Sequence, residues 1–89
     1  MATSARLTLD ATTGQSAMGT DVGVSGGVVV LFPQAAGTML FGPSAVTTAN
    51  GARKTVAAGD VITLTIPSGE DVYLLCSAAT LAVDVLRFG

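Results

Sequence analysis

Hydrophobic residues recur at every second position along much of this 89-residue chain, and this period constrains the fold more than any other feature. In the segment RLTLDAT, Leu7 and Leu9 alternate with Arg6, Thr8 and Asp10. Side chains of a strand point alternately to its two faces, so this spacing predicts a half-buried β-strand. No window of ten or more residues has the pattern of a capped amphipathic helix.

The same alternation predicts strands in GDVITLTIP, DVYLLCS and TLAVDVLRF, which follow one another towards the C-terminus. The residues that share one face of these strands are Ile62, Leu64 and Ile66, then Val72, Leu74 and Cys76, then Leu81, Val83 and Val85. The apolar run at 28–32 and the short segment 38–41 add two more strands. All are rich in residues with high β-propensity and are bounded by turn formers.

Turn signals separate these strands at short intervals. They are FPQAAGT, GPS, ANGA, AAGD and PSGED. The Asn50–Gly51 pair predicts a tight hairpin, because both residues tolerate positive φ. The charged residues Arg53, Lys54 and Asp60 are expected to lie in turns. We therefore predict an all-β fold, a small antiparallel β-sandwich or barrel of about seven to eight short strands.

The segment 12–27, TTGQSAMGTDVGVSGG, breaks this rhythm because it is long and Gly-rich. It is expected to form an extended N-terminal arm or loop, since loops of this length in a small domain are often functional or disordered. The chain is accordingly divided into residues 1–27, an N-terminal strand with this arm, and residues 28–89, the β-sandwich core. The two parts form one domain overall, as the length requires.

The composition predicts that the chain associates. Hydrophobic residues make up 49% of it and charged residues 11%, with a mean hydropathy of +0.66, whereas a typical soluble domain has about 25% charged residues. A monomer of this composition would expose broad apolar patches. In the alternative interpretation, Ala and Gly inflate the apolar count, and Thr and Ser provide uncharged solubility.

Both faces of several strands carry apolar side chains. Leu86 and Phe88 lie opposite the apolar face of the last strand, and in the segment 38–41 Met39 and Phe41 face one way and Leu40 the other. A bulge, or burial on both sides within the monomer, would also accommodate Leu86 and Phe88. The candidate protein-interface residues are Met18, Val22, Met39, Phe41, Leu86 and Phe88.

The sequence offers little for catalysis or for a cofactor. Histidine is absent, which excludes His-based acid–base catalysis, and the single Cys76 predicts a buried, inert thiol. Glu70 and Asp71 have no accompanying ladder of metal ligands and are expected in a solvated turn. A net charge of −2 with four basic residues argues against nucleic-acid binding. We therefore predict no enzyme activity, no catalytic residue, no cofactor and no metal.

Neither a signal peptide nor a membrane span is predicted. The N-terminus lacks an apolar signal core, and the longest dense apolar run, at 28–32, is much shorter than the roughly 20 residues that cross a bilayer. The lone cysteine is typical of a protein made in a reducing compartment.

The order of segments from GTMLFGPSAVTTANGARKTVAAGDVITLTI through PSGEDVYLLCSAATLAVDVLRFG resembles that of small virion structural proteins of tailed bacteriophages. A glycine precedes a VTT-NG turn, an AG turn leads into a Thr/Leu strand, and VYLL and V-VL strands follow. The similarity covers roughly residues 28–89. It implies a β-sandwich of the capsid decoration, cement or head-fibre type, often trimeric.

This resemblance implies a function and partners. The protein would be a capsid decoration or cement subunit on the virion surface, made in the host cytoplasm, that bridges and stabilises neighbouring major capsid proteins. Its partners would be itself, as a homo-oligomer with a trimer favoured, and the major capsid protein. The segment 12–27 would clamp neighbouring subunits. The alternative is a receptor- or carbohydrate-binding β module associated with a head or tail fibre.

Overall fold

A computed structural model describes residues 2–18, 27–67, 69–77 and 80–88, which form eight β-strands in two four-stranded antiparallel sheets without a helix. The strands are β1 Ala2–Leu9, β2 Gln15–Ser16, β3 Gly27–Pro33, β4 Gly37–Gly42, β5 Ala52–Val56, β6 Ile62–Ile66, β7 Tyr73–Cys76 and β8 Leu81–Phe88. The predicted fold class, a small antiparallel β-sandwich, is confirmed.

Sheet A has the strand order β1-β8-β3-β6, and sheet B has the order β2-β7-β4-β5. The first half of the chain therefore pairs with the second half in reverse order: β1 with β8, β2 with β7, β3 with β6 and β4 with β5. A double ribbon of this kind, wound so that alternate pairs fall in alternate sheets, is the arrangement of an eight-stranded jelly roll. The distance along the sequence between paired strands is largest for β1 and β8 and smallest for β4 and β5.

The core lies between the two sheets, and the alternation in the sequence decides which residues fill it. On β8, Leu81, Val83 and Val85 are 3%, 0% and 1% exposed, whereas the residues between them point away from the core. Every strand except β2 contributes to this core, together with Ala17 and Met18. The fully buried large side chains include Leu9, Leu31, Met39, Ile66 and Leu74.

The N-terminal strand is part of this sandwich. β1 pairs with β8 along all eight of its residues, from Ala2 opposite Phe88 to Leu9 opposite Leu81. β2 lies in the other sheet, where Ser16 is paired with Tyr73. Residues 2–18 therefore belong to the same folded unit as the strands beyond residue 27. Residues 19–26 of the predicted arm lie outside the described residues.

The side chains of Asp71 and Arg87 bind residues 15–18, which belong to the predicted arm. The carboxylate of Asp71 accepts hydrogen bonds from Ser16 Oγ and from the backbone N–H groups of Met18 and Val72. The guanidinium of Arg87 donates from Nε to the Ala17 carbonyl oxygen at 2.7 Å, and Arg87 is 9% exposed. Residues 15–18 are therefore held against the sandwich from both sheets.

The connection between β4 and β5 differs from the predicted tight hairpin. It spans nine residues, Pro43–Gly51, and the positive φ angles of the described residues occur at Gly59 and Gly69 rather than at Asn50 or Gly51. The loop folds back so that Val46 packs on Leu40. The predicted hairpin is therefore present, since β4 pairs with β5 and the backbone N–H groups of Asn50 and Gly51 both donate to the Thr47 carbonyl oxygen, but its connection is longer than a two-residue turn.

Gly51 allows this close packing, and replacing it with alanine should destabilise the protein by about 1–3 kcal/mol. A Cβ atom at this position would lie 2.8 Å from Leu40 Cβ and 3.2 Å from the Thr47 carbonyl oxygen, so the loop would have to shift. Urea unfolding measures the change. The matched control is Gly37→Ala, whose Cβ would meet only a Leu81 methyl group at 3.9 Å. Equal stability of the two variants would contradict this account of the loop.

Two of the three charged residues that were predicted in turns lie elsewhere. Arg53 and Lys54 are in strand β5, at the edge of sheet B, and not in a turn. The register places Lys54 opposite the buried Met39, so the Lys54 side chain lies on the core-facing side of this edge strand. Another strand added at this edge would bring its own residues beside that charge. Charges in such positions discourage strand addition at an edge. Asp60 does lie at a turn, where its carboxylate accepts a hydrogen bond from the Ala57 N–H.

Candidate functional site

The outer faces of the two sheets are covered differently. On sheet B, Leu40 and Leu75 are 0% exposed although they point away from the core. Val46, from the loop Pro43–Gly51, packs on them together with Tyr73. The chain thus buries the outer face of sheet B with its own loop, which explains why both faces of β4 and β7 are apolar in the sequence.

The outer face of sheet A carries an apolar surface of its own. The register places Val28 opposite Phe88, Val30 opposite Leu86, and Phe32 opposite Asp84. Directly opposite residues on neighbouring strands contact each other, so five of these side chains form a continuous apolar stripe along the two central strands. We call this stripe the sheet A patch: Val28, Val30, Phe32, Leu86 and Phe88.

The sheet A patch is partly open to solvent. Phe88 is 43% exposed, and the other four side chains are half-buried by their neighbours within the sheet. An open recess of about 530 Å³ lies over the middle of the face and is lined by residues of β1, β3 and β8. Nearby, Val61 is 60% exposed beside β6. The surface is therefore apolar along its centre, with an open depression over β1, β3 and β8.

Polar side chains border the patch on both sides. The alternation on β1 directs Ser4 and Thr8 to this face, and that on β6 directs Thr63 and Thr65 to it. These hydroxyl groups carry no charge. An apolar centre with a polar rim is the usual composition of a surface that a protein partner covers.

Arg6 and Asp84 provide the charges on this face, and they neutralise each other. They are paired across β1 and β8, and Arg6 Nε and Nη2 donate to the two carboxylate oxygens of Asp84 at 2.6 and 3.0 Å. The hydrogen bond from Arg6 lowers the pKa of Asp84, and the same contact raises the pKa of Arg6. The pair leaves no net charge beside the patch.

We expect stability to fall as the pH drops below about 4, because two carboxylates have lowered pKa values. Hydrogen bonds from Arg6 lower the pKa of Asp84, and the backbone N–H groups of Thr13 and Thr12 lower that of Asp10. A group with a lowered folded-state pKa stabilises the fold above its unfolded pKa. That contribution is lost as the pH falls through the folded-state value.

The measurement is the urea midpoint at pH 7, 4 and 2.5. The double variant Asp10→Asn, Asp84→Asn should show a smaller loss between pH 7 and 2.5 than the natural chain. The same loss in both proteins would show that these two carboxylates do not cause it.

The structure separates the predicted interface residues into different environments. Leu86 and Phe88 lie in the sheet A patch. Phe41 is half-buried against the core, and Met18 and Met39 are 1% and 0% exposed inside it. Those two methionines point between the sheets and therefore cannot contact a partner of the folded chain. Val22 lies outside the described residues.

Sequence reasoning missed Val28, Val30 and Phe32. They alternate with Val29, Leu31 and Pro33, which are buried in the core, but the unbroken apolar run hides which set faces inward. Their position opposite Leu86 and Phe88 depends on the pairing of β3 with β8, which no local pattern predicts.

The described residues offer no group of side chains typical of a metal site. Within residues 2–18, 27–67, 69–77 and 80–88, no three His, Cys, Asp or Glu side chains are grouped so that they could hold a metal ion. Cys76 is 4% exposed and belongs to the core. Among the same residues no helix is long and apolar enough to cross a membrane.

The chain matches no protein-family model and no curated protein.

Proposed function

We propose that the protein is a structural subunit of a phage virion, a capsid decoration or cement protein that bridges and stabilises neighbouring major capsid proteins. One observation carries this proposal. The chain covers the outer face of sheet B with its own loop, whereas the sheet A patch is apolar and bordered by uncharged polar groups. A surface of this composition favours a neighbour in an assembly over water.

The energy available from such a surface suits a structural role. Burial of a Phe, Leu or Val side chain contributes about 1.5–3 kcal/mol when it is complete. The patch residues are already half-buried, so each adds less, and the contribution of one copy is modest. Over many copies on a shell, modest contacts add up to a large stabilisation of the shell as a whole.

The fold and the sequence resemblance support the viral part of the proposal. Eight-stranded jelly rolls occur in viral capsid proteins, and also in lectins and cupins. A fold alone does not determine a function. The resemblance of residues 28–89 to small phage virion proteins favours the first of these classes.

Binding to capsids tests the proposal. Purified protein is mixed with capsids of the parent phage that were assembled without it, and the mixture is sedimented. We expect saturable co-sedimentation at a fixed ratio to the major capsid protein, together with a higher temperature of capsid disruption. Failure to bind either expanded or unexpanded capsids would overturn the proposal.

A second candidate function, carbohydrate binding, is favoured by the recess on sheet A. Its lining combines the Phe32 ring with the Arg6–Asp84 pair and the Ser4 hydroxyl, and sugar sites commonly combine an apolar surface with a few polar groups. The recess is open, however, and two of the Arg6 nitrogens already bind Asp84. Titration with host cell-wall glycans, followed by NMR, would detect this activity. Specific shifts at Phe32 and Arg6, without capsid binding, would favour it over the structural role.

A further inference from the structure

We infer that the sheet A patch packs against the same patch of a second copy of this chain, giving a dimer with two-fold symmetry. This inference rests on the proposed function and deepens it by naming the partner that covers the patch. It is carried by the chemistry of the two faces of sheet A, by the area of the face and by the placement of its charges.

The centre of the outer face of sheet A, unlike its polar border, has the same kind of side chains as the inner face. Val28, Val30 and Leu86 point outward, and their neighbours Val29, Leu31 and Val85 point inward and pack on sheet B. Sheets with such faces pack about 10 Å apart, with their twists matched. A second copy supplies a face of identical composition and twist, so the contact would repeat the packing that already holds the sandwich together.

The area of the face suits a weak, reversible dimer. Four strands about 4.8 Å apart, with eight, eight, seven and five residues in β1, β8, β3 and β6, give a face of roughly 450 Å². Two copies would then bury about 900 Å² in total, which is in the range of weak, transient protein interfaces. An interface of this size predicts a dimer that dissociates at low concentration.

The charges on the face are paired, so covering them costs hydration of the pair but leaves no unpaired charge in the contact. Arg6 and Asp84 are bound to each other within one copy, at the β1 side of the face, so a second copy would cover a neutral pair. The cations Arg53 and Lys54, by contrast, lie on β5 at the edge of the other sheet. A second copy can therefore cover the sheet A patch without burying an unpaired charge.

Two-fold packing also explains how a small subunit could bridge two capsid proteins. A face that packs on itself closes at two copies, and it leaves both copies of sheet B and its loops on opposite outer sides of the dimer. The dimer would present every capsid-binding surface twice. This symmetry differs from the trimer that the resemblance implies, so the mass of the assembly discriminates between them.

Aspartate substitutions in the patch test the inference by light scattering at micromolar concentration. Leu86→Asp, near the centre of the patch, and Phe88→Asp, at the end of β8, should each weaken dimerisation at least 100-fold and yield monomers, because dimer formation would desolvate the new charge. The matched control is Thr55→Asp, which adds the same charge on exposed β5 and should remain dimeric. Circular dichroism tests whether each variant is folded. If Leu86→Asp does not fold, Phe88→Asp is the decisive variant.

The outcomes separate this inference from the proposed function. A dimer that depends on the patch but binds no capsid supports the inference and overturns the proposed function. A natural chain that is monomeric at all concentrations, yet binds capsids, overturns the inference alone. A trimer would also overturn the inference, and so would a dimer that neither Phe88→Asp nor Leu86→Asp affects. A monomer whose patch binds a glycan would overturn it as well.

Discussion

Replacing Arg87 with methionine is expected to lower the free energy of unfolding by about 2–4 kcal/mol. Arg87 points inward at the end of β8 and is 9% exposed, and its Nε donates to the Ala17 carbonyl oxygen at 2.7 Å. Methionine fills much the same space but cannot donate. The substitution would leave a buried carbonyl oxygen without this charged donor and loosen residues 15–18 from the sandwich.

Urea unfolding at pH 7 measures this effect, and Arg53→Met is the matched control. Arg53 also donates to a backbone carbonyl oxygen, that of Thr48, but this bond is exposed and lies outside sheet A. Water can replace an exposed donor, so the loss in the control should be about 1 kcal/mol or less. Equal losses in both variants would mean that the contact with Ala17 does not fasten this segment.

The second large effect concerns binding to the capsid. We expect Phe88→Asp to lower the apparent capsid affinity about 100-fold, because a monomer would bind through one attachment surface where the dimer binds through two. The intrinsic contact with a capsid subunit would remain, so binding should persist at high protein concentration. Co-sedimentation over a range of concentrations measures both quantities.

Phe88→Leu is the control for the capsid experiment, since it keeps an apolar side chain in the patch and changes no residue of sheet B; its capsid affinity should be that of the natural chain. Unchanged affinity of Phe88→Asp would show that the patch contributes neither to avidity nor to attachment. Complete loss of binding at every concentration would show instead that the patch itself contacts the capsid protein.

Much of the fold follows from local sequence patterns. Alternation correctly assigned Leu81, Val83 and Val85 to the core and left Leu86 and Phe88 on the opposite face, because the period of a strand fixes which residues share a side. Six of the eight strands, and the absence of helices in the described part of the chain, follow from the same signal, whereas β2 and β5 lie where an arm and a turn were predicted.

The pairing of distant strands could not be predicted in this way. β1 lies beside β8 at the other end of the sequence, and this contact makes the N-terminal strand part of the sandwich. Deleting residues 2–24 would therefore remove β1 and β2 together and uncover the core, instead of only removing an arm. The apolar stripe likewise exists because β3 meets β8, a contact that depends on the whole topology.

Local turn preferences predicted the structure less accurately than the alternation of the strands did. Asn50–Gly51 has the composition of a tight hairpin, but Gly51 is needed because Leu40 Cβ and the Thr47 carbonyl oxygen leave no room for a side chain. The loop that results covers Leu40 and Leu75. The apolar residues on both faces of β4 and β7 therefore reflect this internal cover and not an interface.

Sedimentation equilibrium of the intact protein tests the central claim, that a second copy covers the sheet A patch, most directly. The chain has a mass of 8.8 kDa. We predict a reversible equilibrium in which the mass rises with concentration to twice this value and no further. A mass that stays at that of one chain up to millimolar concentration would contradict the account.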